Sequence, residues 1–266
     1  MGAEFKHDSG ILLAQDLLAR VRWEMANGCR GYPFSDPSQA PRPSEVSSKS
    51  DSASNATEIV KPETAVVSDR PAPSKSQQMA DLQLELGECQ RCSLCHQRMN
   101  IVFGEGNVGT DLVFVGEGPG RDEDQAGRPF VGAAGQLLSK IITAMGLRRE
   151  DVYICNVVKC RPPDNRVPSP EEQLICGRFL TRQLAIIEPR VVVTLGGTAT
   201  GFILEKQEPV GRLRGRFHSV GAWKVMPTYH PAYLLRNPAQ KRPVWQDIQL
   251  VMSELKPGPS VAKRKG

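Results

Sequence analysis

The chain has 266 residues, 39% apolar and 24% charged, with a net charge of +5. No run of about 18 apolar residues occurs, which excludes a membrane-spanning helix, and the first residues lack the apolar core and cleavage site of a secretory signal. A cytoplasmic protein is expected, and a pI near 8.9 suits a polyanionic partner without identifying one. Seven cysteines, an odd number in a chain with no export signal, argue against a disulfide framework and raise metal or cluster ligation instead.

Residues 1–35 carry Ile11, Leu12, Leu17, Leu18, Val21 and Met25 at helical spacing. This segment reads as an amphipathic helix that folds back on the domain or docks a protein partner. Residues 36–80 are rich in Ser, Pro, Ala, Asp and Lys. They have too little apolar surface to offset the entropy of ordering, and read as a disordered linker. The folded domain is expected over residues 81–256, opening at Leu82, Leu84 and Leu86, with a flexible basic tail, Lys263-Arg264-Lys265, in 257–266.

Within the domain, strand and helix patterns alternate. Strands are predicted at Leu112–Val115, Val152–Cys155, Val191–Leu195 and Trp223–Met226. The first is a continuous apolar run ending in Gly116, as in a strand buried on both faces. Helices are predicted at 132–145, from the Ser169-Pro170-Glu171-Glu172 start to Glu188, briefly after Gly196-Gly197, and at Val244–Leu255. The fold class is α/β: a three-layer α/β/α sandwich with a central, mainly parallel four-stranded sheet.

Ligands of such sheets sit beyond the carboxyl ends of the strands. Three unusual segments fall there: Gly116-Glu117-Gly118-Pro119-Gly120, Asn156, and His230-Pro231-Ala232-Tyr233. Singly, each has a bland reading as a tight turn or a satisfied polar side chain. Their convergence on one edge favours a shared pocket. Cys89 and Cys92 form a C-x-x-C pair, while Cys160 and Cys176 flank a Pro-rich loop and a helix start. Two such pairs can make a four-thiolate site for zinc or an iron–sulfur cluster, and spacing does not separate the two. Cys95 makes a second C-x-x-C with Cys92, whereas Cys29 and Cys155 read as ordinary thiols.

Five segments, Val102-Phe103-Gly104-Glu105-Gly106-Asn107, Gly116–Gly120, Gly127-Arg128-Pro129-Phe130-Val131-Gly132, Asn156-Val157-Val158-Lys159-Cys160-Arg161-Pro162-Pro163 and His230-Pro231-Ala232-Tyr233-Leu234-Leu235-Arg236, together resemble the family 4 uracil-DNA glycosylases, in the family's order. The resemblance covers about residues 82–255. It implies hydrolysis of the N-glycosidic bond of deoxyuridine in single- or double-stranded DNA after base flipping, by a monomer. It also implies a structural [4Fe–4S] cluster on Cys89, Cys92, Cys160 and Cys176.

In that reading Asn156 pairs with uracil O4 and N3–H, Phe130 stacks on the base, and Gly116, Glu117 and Gly118 line the uracil site. His230 donates to O2. Glu117 is the first candidate to position water and Glu123 the second. Tyr233, Leu234, Leu235 and Arg236 resemble a loop that wedges into the duplex. Arg212, Arg214 and Arg216 read equally as phosphate contacts or a solvated face.

Three rivals stand beside this reading. A relative that binds uracil DNA without turnover would need, in its covalent form, an insertion that the short connection Leu147–Asp151 does not hold. A metal-binding repair adaptor leaves Asn156, Phe130 and His230 unexplained. A Rossmann nucleotide enzyme needs a G-x-G-x-x-G spacing that Gly116–Gly120 lacks.

Overall fold

A computed structural model describes residues 73–256. Six strands form one sheet in the order β1-β3-β2-β4-β6-β5. They are β1 (Glu105–Gly106), β2 (Leu112–Gly116), β3 (Tyr153–Asn156), β4 (Val191–Leu195), β5 (His218–Val220) and β6 (Trp223–Thr228). The four central strands β3-β2-β4-β6 are parallel, and the two edge strands run antiparallel to their neighbours.

Alternation along β2 explains why it is apolar throughout. Val113 and Val115 face one core with Tyr153, Cys155, Val192 and Val225, while Leu112 and Phe114 face the other with Ile154, Val191, Val193 and Met226. Helices α1 (Lys75–Leu86) and α4 (Pro170–Ile187) supply Leu82, Phe179, Leu180 and Leu184 to the first core. Helices α3 (Ala133–Ala144), α7 (Pro231–Arg236) and α8 (Lys241–Leu255) supply Leu138, Leu234, Ile248 and Val251 to the second. Shorter helices α2 (Arg121–Ala126), α5 (Gly197–Leu204) and α6 (Val210–Leu213) sit in the connections. No helix among the described residues is long and apolar enough to cross a membrane.

The expected four-stranded sheet is thus the parallel centre of a six-stranded mixed one. β1 has two residues and β5 three, lengths at which no periodicity exists to be read. The β5–β6 hairpin did carry a signal, because Val220 pairs with Trp223 across Gly221-Ala222 and Gly221 has φ +54°. The domain also begins before residue 81. Ser74 caps α1 by accepting from the Gln77 N–H at 3.2 Å, so the first helix starts inside the segment expected to be linker. The final helix begins at Lys241 rather than Val244, with Pro243 tolerated in its first turn. The expected helix in 1–35, the body of the linker and the basic tail lie outside the described residues.

Strand register sets up the site. Gly116 at the end of β2 pairs directly with Asn156 at the end of β3. Thr228 ends β6 beside Leu195, two residues before His230.

Candidate functional site

Asn156 is 1% exposed, and neither its amide nitrogen nor its carbonyl oxygen has a hydrogen-bond partner. A buried primary amide left wholly unpaired costs on the order of 1–3 kcal/mol per group, so it points to a ligand that completes it. Gly116 lies against it. A Cβ there would collide with Asn156 Oδ1 and come within 2.5 Å of Phe130 Cζ. Only glycine leaves the amide and the ring open to one another. The rings of Phe130 and His230 lie 5.6 Å apart, which brings amide, aromatic face and imidazole to one place.

His230 caps the start of α7, its Nδ1 accepting from the Ala232 N–H at 3.1 Å. With Nδ1 used as an acceptor, the ring proton of the neutral form falls on Nε2. Burial pushes the imidazole down to about 4, outweighing the attraction of Glu123, so the ring is neutral near pH 7.

The two carboxylates differ. Glu117 is half-buried, and its Oε2 accepts a short hydrogen bond from Thr198 Oγ1 near the start of α5. Glu123 is an anchor: Oε2 accepts from Gly120 N at 3.1 Å, and Oε1 accepts from Val131 N and Gly132 N, each at 2.9 Å. Those three bonds tie the glycine loop to the Phe130 turn. They occupy the carboxylate expected as second candidate for water, which serves here as loop structure.

Helix α7 replaces the expected wedge loop. Tyr233 and Leu235 are exposed at 36% and 46%, but Leu234 is 1% exposed and packs in the second core. Leu234 is therefore corrected from a DNA contact to a core residue, because successive positions on a helix face different sides. Arg214 is likewise removed from the phosphate candidates. Its guanidinium pairs with the buried Asp247 at 2.8 Å and lies over the Tyr229 ring, 5.4 Å from its centroid. Arg212 sits in α6, so the three arginines do not alternate along a strand.

Cys89, Cys92, Cys160 and Cys176 line one small cavity together with Cys95, Arg91, Arg98 and Lys159. Hydrogen-bond donors face the sulfurs: Arg91 Nη1 to Cys89 at 3.3 Å, Arg98 Nη1 to Cys160 at 3.5 Å, and Lys159 N to Cys176 at 3.2 Å. Burial pushes the Cys160 thiol up to about 12 and the Cys176 thiol up to about 11. Thiolates here need positive charge beside them, as a metal centre supplies. Among the described residues, no His, Cys, Asp or Glu group converges to hold a single metal ion. Glu172, accepting from Ser93 Oγ at 2.8 Å and from Arg166, joins the two cysteine-bearing regions.

Lys159 also lies beside the site. It is fully buried and donates through Nζ to the backbone carbonyl of Asn156 at 2.8 Å and to Gln183 Oε1 at 2.6 Å. Its place between Asn156 and Cys160 is its local signal, but only folding brings Gln183 to it. Thr198 had no local signal at all.

Residues 103–249 match the model of the uracil DNA glycosylase superfamily. The chain is 53% identical over 173 residues to the type-4 uracil-DNA glycosylase of Thermotoga maritima, covering 64% of this chain and 90% of that protein. It is 43% identical over 184 residues to the type-4 enzyme of Saccharolobus solfataricus, covering 66% and 85% respectively. A type-5 uracil-DNA glycosylase of Pyrobaculum aerophilum is more distant, 32% identical over 149 residues, with 50% of this chain and 66% of that protein covered. With these matches over the folded domain that carries the amide, imidazole and thiols, the chain belongs to the type-4 uracil-DNA glycosylases of the uracil DNA glycosylase superfamily.

Proposed function

We propose that this protein hydrolyses the N-glycosidic bond of deoxyuridine in DNA, releasing uracil and starting base excision repair. The observation that carries the reading is the buried, unpaired amide of Asn156 beside Phe130. Uracil presents an acceptor at O4 and a donor at N3, the complement of an amide's two ends. Cytosine reverses that pattern and would leave buried polar groups unpaired. The base reaches such a site only outside the helical stack.

Each residue then has one task. Phe130 stacks on the flipped base. His230, neutral and carrying its proton on Nε2, donates to uracil O2, where negative charge grows as the bond to the sugar breaks. Glu117 faces the oxocarbenium-like sugar and orients the attacking water, with Thr198 holding one carboxylate oxygen. Gly116 and Gly118 admit the base close to the backbone. Tyr233, Leu235 and Arg236 contact DNA.

Cys89, Cys92, Cys160 and Cys176 would hold a [4Fe–4S] cluster, a reading supported by the four thiols lining one cavity. A cluster held there would cross-link the residue 89–92 segment to the Pro-rich loop and α4, a structural contribution.

The test is direct. The full chain is incubated with an oligonucleotide carrying one uracil and then with alkali, against matched cytosine and thymine strands. Cleavage at uracil alone is expected. An intact uracil strand at enzyme excess overturns the proposal, and retained binding without cleavage would instead mark a non-catalytic uracil-DNA binder.

A further inference from the structure

Phe130 holds a backbone conformation that its residue type disfavours, with φ +52°. Bulky side chains rarely occupy this region, and such residues persist only where the surroundings over-determine them. Two features impose it. Gly135 lies so close that a Cβ would clash with the Phe130 carbonyl and sit 2.7 Å from its Cα. Arg149, in the turn before β3, donates through Nη1 to the Phe130 carbonyl at 3.0 Å and through Nη2 to the Pro129 carbonyl.

Arg149 is itself fixed. Its Nε donates to Glu105 Oε1 at 2.7 Å, and Glu105 also accepts from Arg128 Nε at 2.8 Å. One carboxylate on the edge strand β1 thus grips the Phe130 turn from both sides: through the Arg128 side chain, and through the carbonyls held by Arg149. Burial works against the Glu105 charge, but the hydrogen bonds from Arg128 and Arg149 hold its carboxyl below the ordinary range. Glu105 belongs to the segment Val102–Asn107, which contributes no side chain to the uracil pocket described above. The ion pair gives that segment a purpose.

We infer that Arg149, fixed by Glu105, is a positioning residue that holds Phe130 at the angle required to stack on the flipped base. The inference rests on the stacking role proposed for Phe130. A guanidinium suits the task because its fork can bind two carbonyls and a carboxylate at once, which an ammonium on a flexible stem does not reproduce.

A double-mutant cycle on the full chain separates positioning from general stabilisation. Single-turnover rates and KM on uracil DNA, inhibition by free uracil, and melting temperature are measured for R149M, R149K, E105Q, F130L and F130L/R149M. R149M is expected to lower kcat/KM about tenfold and weaken inhibition by uracil, with R149K failing to restore either. In the F130L background the same change should cost less than about twofold, since a residue acting through Phe130 couples to it. Equal losses in both backgrounds, or wild-type kinetics for R149M, overturn the inference while leaving Phe130's role intact. Wild-type kinetics for F130L would instead overturn the stacking reading. Should R149M fail to fold, E105Q and R149K, each combined with F130L, supply the same comparison.

Discussion

Asn156 shows how one side chain acquires a function from its surroundings. Its two polar atoms are buried without partners, so removing them should not harm the free protein as a satisfied buried amide's loss would. Asn156→Leu is expected to leave the melting temperature unchanged or slightly raised. It should lower kcat/KM on uracil DNA by a factor of about 10–100, corresponding to the roughly 1–3 kcal/mol lost when uracil's own groups are buried unpaired. Single-turnover kinetics with a thermal melt check both halves, and a strongly destabilised protein would contradict the first.

His230 carries a pH prediction. Its ordinary value of 6.5 is pushed down to about 4 by burial. The neutral donor form therefore persists well below pH 6.5, and the rate of bond cleavage should show no acid limb there, falling only near pH 4. The sign for stability is the same. A depressed value means that stability is complete above pH 6.5 and declines as pH falls from 6.5 toward 4, because the unfolded imidazole protonates first. A single-turnover rate that falls with its midpoint near 6.5 would show an unperturbed imidazole, and one that rises below pH 6.5 would place a charged His230 in the mechanism instead.

At the scale of elements, α7 separates two leucines that the sequence sets side by side. Leu234 fills the second core at 1% exposure, whereas Leu235 is 46% exposed. Leu234→Ala should destabilise the domain by about 2–5 kcal/mol through the cavity it leaves. Leu235→Ala should change stability by less than about 0.5 kcal/mol and weaken binding to uracil duplex. Denaturant melts and titrations with labelled DNA read the two effects independently, and a Leu235→Ala protein that binds normally would remove Leu235 from the DNA surface. Helix α4 makes a related point. Ser169 and Glu172 cap it reciprocally, at 3.2 Å and 2.7 Å, and Glu172 also accepts from Ser93 beside Cys92. A local capping motif here doubles as a brace for the cysteine cavity.

For the whole molecule, the cavity of thiols lies between α1, the residue 89–95 segment and α4. With the proposed cluster on these thiols, treatment with a chelator and reductant should remove the protein's visible absorbance and lower the melting temperature. Partial glycosylase activity should remain in whatever fraction stays folded, because neither Asn156 nor His230 lines the cavity of thiols. A truncation beginning at Pro73 should retain activity on uracil oligonucleotides, since α1 is capped by Ser74 within it; loss of the fold would assign a structural role to residues 1–72.

Legible in the chain before folding were the parallel core of the sheet, the capped helix at Ser169 and the placing of Gly116, Asn156 and His230 at or just past strand ends. Those features are written in local periodicity, capping chemistry and chain order, which need few distant contacts to act. Folding was needed to show that Leu234 is core, that Glu123 and Arg214 are anchors, and which groups pair with Arg149, Glu105, Lys159 and Thr198. Apart from Glu123, whose partners lie within nine residues of it, these depend on partners that are remote in the chain, as with Arg149 and Glu105, 44 residues apart. No window of sequence registers a hydrogen bond across such a distance; only the packing of the sheet and its helices brings donor and acceptor together.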